Sequence, residues 1–90
     1  MQCFHIVVIG KVQGVFFRHH TKKMADQLNI EGWVKNLPQG EVEIMACGEK
    51  EPVTKFIDWC RHGPSMAHVA NIRIEYLDLD SHFEKFEIIK

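Results

Sequence analysis

The apolar residues of this chain change their period twice, in the same order each time. A strand-like run, CFHIVVIG (3–10), leads through a glycine loop into HHTKKMADQLNI. There Met24, Ala25 and Leu28 fall at helical spacing, with Lys22, Lys23, Asp26 and Gln27 on the polar side. EGWVKNL then reads as a second strand. Val42, Ile44 and Ala46 alternate in a third, and Pro38-Gln39-Gly40 makes the turn of a hairpin between the two. The second half repeats the plan. Pro52 suits the first turn of a helix, Val53, Phe56, Ile57 and Cys60 stand at i, i+3, i+4 and i+7, and Gly63-Pro64 end it. VANIRIEYLDL alternates as a fourth strand, and HFEKFEIIK closes as a short fifth. The order β-α-β-β-α-β with one added strand is the ferredoxin-like split β-α-β plan. The expected fold is an α+β sandwich, an antiparallel sheet with two helices on one face. Met24, Leu28, Val53, Phe56 and Ile57 are its expected core.

Ninety residues make one domain, 1–90, and a hydrophobic fraction of 46% is enough for a small core. The net charge of -1 and the interspersed charges argue against a nucleic-acid partner, which would call for a basic stripe. The three cysteines, Cys3, Cys47 and Cys60, contain no CxxC, so neither a zinc site nor a disulfide framework is indicated. The N-terminal MQCFHIVVIG lacks a basic segment and a cleavage pattern. No apolar run approaches the ~20 residues that span a bilayer. These features lead us to expect a cytoplasmic, soluble monomer with no membrane partner, no metal and no cofactor.

The chemistry concentrates in GKVQGVFFR, Gly10 to Arg18, where the chain leaves a strand and enters a helix. Amides at such a junction are unpaired and the helix dipole points its positive end at the loop. Glycines let successive N–H groups converge on one anion, phosphate above all. Arg18 adds a planar charge able to hold two oxygens. The lysine and hydroxyl of a nucleotide-binding GxxxxGK[ST] loop are missing, as is a GxGxxG fingerprint. On residues alone, a plain glycine-containing loop with a surface arginine stands open beside the anion site.

GKVQGVFFR resembles the first signature of the acylphosphatase family, a glycine, any residue, Val-Gln-Gly-Val, any residue, an aromatic and an arginine, at every fixed position. GWVKN, Gly32 to Asn36, is similar to the second: a glycine, an aromatic, a small aliphatic, any residue and an asparagine. The similarity runs on through LPQGEVE and FIDWCRHGPSMAHV. The resemblance implies hydrolysis of acyl phosphates to a carboxylate and inorganic phosphate, which would also inhibit. It assigns phosphoryl binding to Arg18 and to the loop amides of Gln13, Gly14, Val15, Phe16 and Phe17, and positioning of the attacking water to Asn36. So small a set of residues is chemically sufficient. The carboxylate is a good leaving group, and phosphoryl transfer relies mainly on positioning and on donors to the equatorial oxygens. The rival is a non-catalytic phosphate- or carboxylate-binding module of the same fold; the pairing of Arg18 with Asn36 favours the enzyme.

The remaining candidates read as structural. His19 and His20 are adjacent, so on a helix they diverge by about 100° and do not share a target. His5, His62, His68 and His82 are scattered. Phe16, Phe17 and Trp33 are read as core or site-wall residues, and Thr21 as a brace of the first helical turn. Antiparallel pairing of the first and third strands would set Cys3 against Cys47, within reach of a disulfide, whereas a reducing compartment favours free thiols.

Overall fold

Alternation at period two sorts the strand residues onto two unlike faces of one sheet. The structure, a computed structural model, describes residues 1–78 and 83–90. Its elements are β1 (Gln2–Lys11), α1 (Phe17–Gln27), β2 (Glu31–Asn36), β3 (Val42–Gly48), α2 (Lys50–Cys60), β4 (His68–Leu77) and β5 (Phe86–Ile89). The strand order is β4-β1-β3-β2-β5. Ile6 and Val8 of β1, Val34 of β2, Val42, Ile44 and Ala46 of β3 and Phe86 of β5 form one buried cluster. Phe17 and Ala25 of α1, Val53, Phe56, Ile57 and Cys60 of α2, and Val12, Val15 and Ile30 between elements join it. Met24 and Leu28 pack on its rim. Burial pushes the pKa of the free Cys60 thiol far up, the charge of Arg61 offsetting little of it.

The α+β ferredoxin-like sandwich is the fold that the pattern predicts. The fifth strand brings one parallel pairing into the antiparallel sheet. β5 lies along β2, with Gly32 opposite Phe86 and Val34 opposite Ile88. Leu79 and His82, assigned from sequence to the ends of strands, lie outside the described residues. Among the described residues, no helix is long and apolar enough to cross a membrane.

Among the described residues, the second face of the sheet carries no helix and holds Cys3, His5, Trp33, Lys35, Glu43, Met45 and Cys47. Cys3 and Cys47 are register partners on β1 and β3. Their Cα atoms lie 4.0 Å apart and the structure joins their sulfurs in a disulfide. Further along the same strands, His5 Nε2 lies 2.6 Å from Glu43 Oε2, and Lys35 Nζ lies 3.4 Å from Oε1. Burial raises the Glu43 carboxyl, but the hydrogen bonds and charges of His5 and Lys35 outweigh it and hold its pKa below the ordinary 4.5. Lys35 also sits over the Trp33 ring, 5.2 Å from its centroid. Trp33 therefore belongs to this open face and is part of neither the core nor the site wall.

Candidate active site

Between β1 and α1 the backbone turns through two left-handed residues, Gly14 (φ 74°) and Phe16 (φ 62°). Glycine adopts that conformation freely, and at Gly14 an added Cβ would meet nothing within 4 Å, so the turn itself calls for glycine there. Phe16 is the residue before the first turn of α1 and makes no side-chain cap; the first turn holds no acidic residue. The amides of that turn are thus left to face the loop with the positive end of the helix uncompensated. Thr21, fully buried, donates its hydroxyl to the carbonyl of Phe17 (2.7 Å) and braces the same turn.

A cleft of about 310 Å³ opens over this junction. It is lined by Val12, Gln13, Gly14, Phe16, Phe17, Arg18, His19, Asn36 and Ile88. The structure thereby brings together Arg18 and Asn36, which lie in separate motifs. Arg18 is half-buried, and its Nη1 donates to the carbonyl of Ile89 on β5 (3.2 Å). The edge strand thus steadies the guanidinium without neutralising it. Asn36 ends β2 opposite Val42 and lies on the same side of the strand as Val34, the side that bears the helices. Its Oδ1 is buried and, among the described residues, has no hydrogen-bond partner. Gly32, which opens that motif, has a structural role: a Cβ there would collide with the carbonyl of Met45.

Four of the five residues expected in the loop cradle line the cleft. Val15 does not; its side chain is buried in the core. Phe17 is also buried, whereas Phe16 is 74% exposed. His19 lines the cleft and His20 does not, as their divergence on the helix requires. One residue acts in a way the motif did not suggest. The side-chain amide of Gln13 donates to the carbonyls of Leu37 and Glu41, each at 2.8 Å. These carbonyls flank the β2–β3 turn, whose own bond runs from Leu37 N–H to Glu41 (2.8 Å). Gln13 therefore ties the wall of the β1–α1 loop to the hairpin that carries Asn36. Its contacts are 24 and 28 residues away, beyond any local pattern. Among the described residues, no three His, Cys, Asp or Glu side chains are grouped to hold a metal ion.

Comparison with known proteins agrees over the whole chain. The family model described as Acylphosphatase matches residues 4–88. An acylphosphatase of Syntrophus aciditrophicus is 45% identical over 89 residues, 99% of this chain and 93% of that protein. One of Coxiella burnetii is 44% identical over 80 residues, 89% of this chain and 84% of its own. The crystal structure of acylphosphatase from Bacillus subtilis superposes with a TM-score of 0.96 at 32% identity, covering all of both chains.

Proposed function

The chain belongs to the acylphosphatase family, and on that premise we propose that residues 1–90 form one acylphosphatase domain, acting as a monomer, that hydrolyses acyl phosphates without a metal ion. The reading is carried by one juxtaposition: Asn36, whose amide oxygen is buried and unpartnered among the described residues, lines the same cleft as Arg18 and the uncapped start of α1. An unsatisfied buried acceptor costs about 1–3 kcal/mol, and a water donating to it removes that cost.

In this mechanism the phosphoryl group enters the loop. Its oxygens accept from the backbone amides of the loop and first turn and from the Arg18 guanidinium, where charge is spread in the transition state. Asn36 holds a water in line with the bond from phosphorus to the acyl oxygen. The water oxygen bonds to phosphorus, that bond breaks, and the electron pair leaves with the carboxylate. The water proton passes to the phosphate, giving a carboxylate and dihydrogen phosphate. Positive charge from Arg18 and the amides does the work that a metal would otherwise do.

The test is hydrolysis of an aryl acyl phosphate in the presence of a chelator, with inorganic phosphate as inhibitor. Turnover with competitive inhibition is expected. Asn36→Ala should lose at least about 10²-fold in kcat while phosphate inhibition persists. Full activity in that variant would remove the water-positioning role. Phosphate binding without turnover in the wild-type protein would leave a binding module.

A further inference from the structure

Among the described residues, seven adopt positive φ, and six of them are glycine or asparagine. Those are the residues for which the left-handed region is least costly. The seventh is Phe16, a bulky side chain for which this backbone is strained by about 1–2 kcal/mol. Burial does not compensate, because Phe16 is also, among the described residues, the most exposed of the large apolar side chains at 74%. The curl of the loop accounts for the backbone conformation but not for the ring, since glycine would make the same turn without strain.

The position of the ring supplies the missing reason. Phe16 lines the cleft that holds Arg18 and Asn36. Of the other apolar residues there, Val12 and Phe17 are each 1% exposed, whereas Ile88 is 36% exposed. Phe16 and Ile88 are therefore the apolar groups with surface to offer a ligand. Ile88 precedes the residue whose carbonyl holds Arg18. An acyl phosphate seated with its phosphate against the amides must direct its acyl group out of the cradle, past the rim. Among the described residues, no acidic side chain lines that cleft.

We propose that Phe16, with Ile88, is the specificity platform of this site, and that its substrates are acyl phosphates with an apolar acyl group larger than acetyl. The inference rests on the acylphosphatase reading for the word substrate, but its geometry is testable without turnover. Phenylphosphonate and methylphosphonate share the phosphoryl end and differ in the apolar end. Titration calorimetry should show a preference for the phenyl compound that falls about tenfold in Phe16→Gly and is partly kept in Phe16→Leu. Phe16→Gly should melt no lower than wild type, because the strain is relieved. In parallel, the ratio of kcat/KM for benzoyl phosphate over acetyl phosphate should fall by the same factor. A phenyl preference within twofold of wild type in Phe16→Gly would overturn the platform. A preference lost on schedule in a protein that hydrolyses neither acyl phosphate would uphold the platform and overturn the enzymatic reading.

Discussion

The antiparallel pair β1 and β3 has two ends that differ in almost every respect. At one end Cys3 faces Cys47, both buried, and a covalent bond closes the ladder. At the other, beyond Val8 and Val42, the strands part towards the β1–α1 loop and the β2–β3 hairpin. There the walls are held together by hydrogen bonds from one side-chain amide, that of Gln13. The closed end contributes stability and no chemistry. The open end carries an uncapped helix start, a strained phenylalanine and an unsatisfied amide, and each is a local cost placed around the candidate site. Substitutions at the open end should therefore move activity, and those at the closed end should move stability.

The sharpest test is Arg18→Ala. We expect a loss of about 10³-fold or more in kcat/KM and loss of inhibition by phosphate, with the unfolding midpoint in urea barely moved. A large drop in stability would show that the tie to Ile89 holds the edge strand. Next is Cys3→Ser. Removing a bridge across a sequence separation of 44 should lower the free energy of unfolding by about 2–4 kcal/mol and leave kcat/KM of the folded enzyme unchanged. A parallel fall in kcat/KM would break the division between the ends. Gln13→Ala sits between these cases. It frees the hairpin from the loop while leaving the loop backbone in place, so kcat should fall about tenfold with little change in inhibition by phosphate. An equal loss in both would make Gln13 a folding residue only.

The smallest effect lies between the two ends, at Glu43. Its pKa is lower in the folded protein, so it stabilises the fold above the ordinary value of 4.5, and that contribution is lost as pH falls through the folded pKa. Wild type should therefore lose more stability between pH 6 and pH 3 than Glu43→Gln, by about 0.5–1 kcal/mol in chemical denaturation. Parallel curves would show that the contacts with His5 and Lys35 contribute nothing.

The same contrast separates what could be read in the sequence from what could not. Helices, strands and their order follow from periods of 3.6 and 2, and the hairpin from its turn residues. Local spacing identified the loop but not the fate of each member. Phe16 and Phe17 are identical neighbours, and only the left-handed turn between strand and helix sends one outward and the other into the core. The tie of Gln13 to the hairpin and the pairing of His5 with Glu43 span 24 to 38 residues. Such contacts exist only once the sheet has aligned its strands. Period two reveals that the last segment is a strand, but not that it runs along β2 and presents a carbonyl to Arg18.

Cys60 gives the molecule a built-in stopwatch. With Cys3 and Cys47 joined, it is the single thiol left to react, and it lies wholly inside the core with its ionisation suppressed. An alkylating reagent can reach it only when α2 lifts from the sheet. The rate of modification, followed by mass, therefore counts spontaneous openings of the native protein. Run with and without phosphate, the same measurement reports how far a ligand at the open end of the ladder slows breathing elsewhere in the core.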